Sequence, residues 1–206
     1  MNRAIFPLGF PRNDARICKR ARELKKIPTL IRAIKIKCPF NVKKCWIFAI
    51  ANGSIDLLES IKKYYFKQFL SDDYRSVYGV GSCGWAAWHN HLGVVKWLRS
   101  NGFPCNSTTC LYAAKAGHLH ILKWLRSQKP PCPWDSNVCR YAASYGDLNI
   151  LKWLRSQDPP CPWDYGTVLF AKGNNDMINW LLMQNPPCPL PPTYLLDEYL
   201  LNKLAN

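Results

Sequence analysis

Between Cys132 and Pro160 the apolar positions form two stripes separated by a short polar break. Asp135 stands where a carboxylate would accept the first backbone N–H groups of a helix, and Ala142 and Ala143 are small enough to let neighbouring helices approach closely. Gly146 and Asp147 mark a turn. Beyond it Leu148, Leu151 and Leu154 recur at helical spacing and are expected to face neighbouring helices, with Ile150 and Trp153 broadening the stripe and Lys152 and Arg155 pointing outward. Pro159 and Pro160 cannot continue the helix, which predicts an extended connector. The stretch therefore reads as helix–turn–helix.

The same pattern recurs along the chain. The string K-W-L-R-S begins at Lys96, Lys123 and Lys152, and a weaker echo, N-W-L-L-M, begins at Asn179, giving intervals of 27, 29 and 27 residues. Such a period is too short for a domain and right for one supersecondary unit that buries its apolar face by stacking on its neighbours. Repeats are expected at about 38–74, 75–104, 105–131, 132–160 and 161–187, with turns at Gly53, Asn90 and Gly173. The stretch 67–80 reads as an irregular insertion, and the last repeat is degenerate, with Val168 where the others have cysteine. Residues 1–37 read as a basic segment and helical cap, and 188–206 as a C-terminal capping helix, because the ends of a stack need one solvated face.

Cysteine and charge change this picture in two places. One cysteine column, Cys105, Cys132, Cys161 and Cys188, runs in register with the tryptophans, and a second, Cys83, Cys110 and Cys139, lies 14 residues before Trp97, Trp124 and Trp153. Columns in phase with a repeat are packing positions, where free cysteine behaves as a small hydrophobe, and this suits an intracellular chain, cytoplasmic or nuclear. No C-x-x-C pair occurs, so no metal site is expected. The formal charge of +15 is concentrated at one end: residues 1–45 carry 13 Lys and Arg against two acids. No apolar run approaches the roughly 20 residues that cross a bilayer, and no secretory leader is expected.

The segments Ala113–Leu125 and Ala142–Leu154 resemble the ankyrin repeat core A-A-x-x-G-H-L-E-I-V-K-x-L, and most of all the short Trp- and Cys-rich ankyrin-like arrays of large DNA viruses of protists and of algae and oomycetes. The family's T-P-L-H opening is absent, replaced by Asn137 to Arg140, and the units are shorter than usual. The resemblance implies an all-α, ankyrin-like α-solenoid of stacked helix-turn-helix repeats, with hairpin fingers reduced to proline-rich connectors. It also implies a recognition surface at the end of each first helix. Here that surface comprises Trp88, His89, Lys115, Ala116, Ser144 and Tyr145, with Leu111 and Arg140 flanking. His91 and His118 fall where the family commonly has histidine, so the His89/His91 and His118/His120 pairs are read as structural.

No G-x-S-x-G, glycine-rich phosphate loop or H-E-x-x-H occurs, and neither enzyme activity nor a cofactor is expected. The expected function is a non-enzymatic protein-interaction scaffold. Its second contact would be the basic segment, where Arg16, Lys19, Arg20, Arg22, Lys25 and Lys26 would hold a polyanion. The alternative is a nucleic-acid-associated structural protein, such as a subunit of a ribonucleoprotein or a virion.

Overall fold

The computed structural model of the chain describes residues 26–35, 42–69 and 80–195. These form eleven α-helices and no strand. The chain divides into two compact units, Met1–Pro104 and Cys105–Asn206.

In the first unit α1 (Ile27–Lys35) and α2 (Val42–Ala51) are followed by α3 (Ile55–Phe69), α4 (Val80–Trp88) and α5 (Leu92–Ser100). Helices α2/α3 and α4/α5 are the hairpins of two repeats. The first-helix layer pairs α2 with α4, and the second-helix layer packs α3 against both α1 and α5. Helix α1 buries Leu30, Ala33 and Ile34, an i, i+3, i+4 stripe, and so closes the second-helix layer. Trp46 fills the centre of this unit: it is 1% exposed, its ring lies 5.2 Å from Phe103, and its Nε1 donates to Ser82 Oγ at 3.0 Å. Where an irregular insertion is expected from residue 67, α3 bends at Tyr65 (φ −124°, ψ 17°) and continues to Phe69. The rest of that insertion lies outside the described residues.

The second unit holds three hairpins: α6 (Ser107–Lys115) with α7 (Leu119–Arg126), α8 (Ser136–Tyr145) with α9 (Leu148–Arg155), and α10 (Tyr165–Phe170) with α11 (Asn175–Leu182). Helix α8 packs against α6 on one side and α10 on the other. Close packing is allowed by Cys110, Ala113 and Ala114 on α6 and by Cys139, Ala142 and Ala143 on α8, all buried. On α9 the buried residues are Ile150, Leu151 and Leu154, whereas Leu148 and Trp153 are half-buried at the two edges. The stripe is thus turned from the one expected: Asp147 caps the helix through Asn149 N (2.8 Å), and starting there puts Leu148 off the inward face.

The connectors are closed loops rather than extended strands. After α7 and α9 the chain turns back, and Cys132 N and Cys161 N donate to Leu125 O and Leu154 O, each at 3.0 Å. Gln128, Gln157 and Gln184 donate from Nε2 to the carbonyls of Trp124, Trp153 and Trp180, satisfying acceptors that the helix ends leave open. Of the expected C-terminal capping helix, one 3-10 turn, Thr193–Leu195, is described, and residues 196–206 lie outside.

Candidate functional site

Each first helix of the second unit begins on a side-chain cap. Asn106 forms a capping box with Thr109, Asp135 accepts from Asn137 N at 3.0 Å, and Asp164 accepts from Gly166 N at 2.9 Å. These caps fix where each helix starts and hence which residues it shows to solvent.

Arg140 bridges two repeats. Its Nε donates to Asp164 Oδ1 at 2.8 Å and its Nη2 to Asp164 Oδ2 at 2.5 Å, a two-pronged pair that holds the cap of α10. Hydrogen bonding from Arg140 draws the Asp164 carboxyl below its ordinary range, and the same bond raises the guanidinium. Glycine at position 166 leaves room for this pair, because a Cβ there would lie 2.5 Å from Arg140 Nε and the side chain would have to shift. Arg140, expected at the flank of a binding face, is therefore already engaged within the chain.

The remaining expected residues of this unit lie along the ends of α6 and α8. Lys115, Ser144 and Tyr145 are exposed, and Leu111 and Ala116 are half-buried. Tyr145 is 55% exposed, yet one edge of its ring covers the turn before α7, where a Cβ on Gly117 would meet the ring at 2.3 Å. Lys115 Nζ lies 4.9 Å from the centroid of Tyr141, and Tyr141 meets Phe170 edge-on, with centroids 5.5 Å apart and planes at 73°.

Tyr141 and Phe170 were not among the expected site residues. They belong to a column two positions after the cysteine column, Tyr112, Tyr141 and Phe170 in this unit, with Phe170 42% exposed. The signal lay in the sequence as an aromatic at constant offset. A search for positions that vary between copies passes over it.

In the first unit the same offset gives Ile47 and Trp85, 40% and 47% exposed, which line a cavity of about 210 Å³ with Lys43 and Ile50 between α2 and α4. The expected Trp88 and His89 are half-buried, and the His89 ring stacks on Trp85 with centroids 5.4 Å apart. Burial, then the neighbouring His91, lowers the His89 pKa. His91 itself covers the preceding turn, with Nε2 3.1 Å from Ala51 O and its ring where a Cβ of Gly53 would project.

The basic positions on the second helices divide into two kinds. Arg126 and Arg155 stack on connector tryptophans, with Cζ 3.8 Å from the Trp134 centroid and 3.9 Å from that of Trp163, and their Nη1 atoms donate to Cys132 O and Cys161 O. Lys123 and Lys152 are exposed. Of the expected polyanion residues, Arg16, Lys19, Arg20, Arg22 and Lys25 lie outside the described residues, and Lys26 is exposed just before α1.

Cysteine works as packing. The eight described cysteines are free thiols, seven of them buried, and Cys132, Cys161 and Cys188 donate from Sγ to Asn106 O, Asp135 O and Asp164 O of the preceding repeat. The Cys110 pKa is raised by hydrogen bonding to Cys132 and by burial, and that of Cys161 by hydrogen bonding to Cys139 and by burial. Burial pushes Cys188 up to about 12. Among the described residues no group of three or more His, Cys, Asp or Glu is placed to hold a metal ion.

No curated protein and no solved structure matches the chain. Residues 83–164, from within α4 to the cap of α10, match the family model for ankyrin repeats in three copies, so the helix-turn-helix hairpins they form are similar to ankyrin repeats.

Proposed function

We propose that the chain is a non-enzymatic scaffold that receives a protein partner on its first-helix face. Ankyrin repeats generally mediate protein–protein interaction. The observation that carries the reading here is the set of aromatic rings on α8 and α10, with Tyr145 and Phe170 exposed and Tyr141 half-buried against Phe170: aromatic rings at a surface are the usual anchors of an interface. The residues expected from the sequence, Leu111, Lys115, Ala116, Arg140, Ser144 and Tyr145, lie on the first helices α6 and α8 or immediately after α6, and Trp88 and His89 close the first helix α4 of the first unit. A photo-reactive phenylalanine analogue at position 145 should cross-link a protein in cells, and the same group at Lys152 on a second helix should not. Equal labelling at both positions would remove the face from the argument.

The basic N-terminal segment is a second contact in this reading, placed inside the cell, where the thiols stay reduced. No helix among the described residues is long and apolar enough to cross a membrane. The charge concentrated in residues 1–45 also supports the rival reading, a nucleic-acid-associated structural protein such as a subunit of a ribonucleoprotein or a virion. The rival requires binding that falls by orders of magnitude between about 50 and 200 mM salt, as phosphate contacts do. Replacing Arg16, Lys19, Arg20, Arg22, Lys25 and Lys26 by Gln separates the two: the scaffold keeps its main partner, and the nucleic-acid binder loses it.

A further inference from the structure

We infer that the first-helix face takes an acidic peptide segment whose apolar side chains seat on Tyr141, Tyr145 and Phe170. This rests on the scaffold reading and adds the chemistry of the partner.

The argument begins with where the chain puts its carboxylates. The five first helices, VKKCWIFAIA, VGSCGWAAW, STTCLYAAK, SNVCRYAASY and YGTVLF, contain no Asp or Glu. The other described acids sit on second helices (Asp56, Glu59 and Asp176), at caps (Asp135, Asp147 and Asp164) or in a connector (Asp158). The two at first-helix caps do not spoil the face, because each turns an oxygen to backbone N–H, and Asp164 is also neutralised by Arg140.

What remains on the face of the second unit is aromatic and positive. Lys115 stands 4.9 Å from the Tyr141 centroid, and Lys172 is exposed two residues after Phe170. A carboxylate approaching here meets these cations on helices that themselves hold no Asp or Glu, which raises the rate of encounter, while apolar contact with the rings supplies most of the affinity. Nucleic acid fits less well. The described cations on this face are few, and Arg140 is committed to Asp164, so little counterion release is available. Tyr141 and Phe170 meet edge-on at 73°, which gives ridges for side chains rather than a parallel platform for stacked bases.

The test uses the full chain and fluorescent synthetic probes. The first is a peptide of about 16 residues with Leu and Phe at helical i, i+3, i+7 spacing and Glu elsewhere. The others are the same peptide with Gln for Glu, an oligo-glutamate, and a single-stranded oligothymidine. The first peptide should bind saturably in anisotropy titrations. The Gln version and oligo-glutamate should each bind at least about tenfold more weakly, a difference of about 1.4 kcal/mol. Phe170→Ala and Tyr145→Ala should each lose about tenfold with an unchanged circular-dichroism spectrum. Lys115→Glu should weaken the Glu peptide and improve binding of a Lys-substituted one, an effect that loss of folding could not produce. The variant with Gln at the six N-terminal basic positions should bind as wild type does. Oligothymidine or oligo-glutamate binding as tightly as the first peptide, or insensitivity to Phe170→Ala and Lys115→Glu, overturns the inference. If position 145 still cross-links a protein in that case, the scaffold reading stands and only the partner chemistry is wrong; if it cross-links none, the scaffold reading fails too.

Discussion

Arg155 lies flat on Trp163, with its guanidinium carbon 3.9 Å from the ring centroid, while its Nη1 donates to Cys161 O at 2.6 Å. One side chain thus clamps a connector from two directions. Trp163 also meets Trp180 edge-on, with centroids 6.2 Å apart, and one repeat earlier Arg126, Trp134 and Trp153 make the same series.

Lysine keeps the charge at position 155 but has neither the planar face nor the fork. Arg155→Lys should therefore destabilise the protein by about 1–2 kcal/mol, from the lost stacking and a weakened charged hydrogen bond. Urea unfolding measures it, and a midpoint equal to wild type would mean that the clamp contributes nothing.

Gly117 carries two constraints, a φ of +77° and the Tyr145 ring where its Cβ would be, whereas Gly173 carries only a φ of +89° with open space around it. Gly173→Ala should cost about 1 kcal/mol for the backbone. Gly117→Ala should cost clearly more, and in a Tyr145→Ala background its cost should fall to that of Gly173→Ala. A double-mutant cycle that shows no coupling would place the ring elsewhere.

The Arg140–Asp164 pair predicts an acid limb. Because the folded-state carboxyl lies below its unfolded value of about 3.9, its contribution is fully present above that pH and is lost as pH falls through the depressed folded value. Asp164→Asn keeps a capping side chain and removes the ion pair, so it should lower stability at neutral pH and flatten this limb. The pair is substantially solvated, and the change should be small. Denaturant midpoints measured from about pH 2 to 7 decide it, and parallel curves for wild type and variant would exclude the pair as their cause.

Hydrogen bonding to Cys132 and Cys139 respectively, together with burial, holds Cys110 and Cys161 protonated, and burial pushes Cys188 up to about 12. With Cys18 and Cys38 replaced by Ser, a disulfide exchange reagent should react quickly with the half-buried Cys105 and slowly with the seven buried thiols until denaturant is added. Rapid reaction of several thiols in the native protein would contradict their burial.

Sequence pattern revealed the helix hairpins because their markers are local. Asp135 as a cap, Asn90 and Gly146 at left-handed turns, and paired alanines each fix structure within a few residues. The closed connector was not legible, since it depends on Cys161 N finding Leu154 O across a loop that proline alone only says must leave the helix. The pairing of Arg140 was not legible for a similar reason. Its partner lies 24 residues away, and a single cation on an exposed helix looks the same whether it awaits a ligand or holds the next cap. The aromatic column of Tyr112, Tyr141 and Phe170 could have been found by asking which positions keep their character rather than which vary.

Each connector cysteine reaches back by one repeat: Cys161 Sγ donates to Asp135 O and Cys188 Sγ to Asp164 O. The residues that fasten a repeat are thus divided between that repeat and its immediate successor. A duplicated stretch from Cys132 to Pro160, inserted in frame after Pro160, would meet at both ends the groups it already binds. Arrays of this kind lengthen or shorten by whole repeats without inventing a new joint, so the size of the binding face can change separately from the chemistry that holds it together.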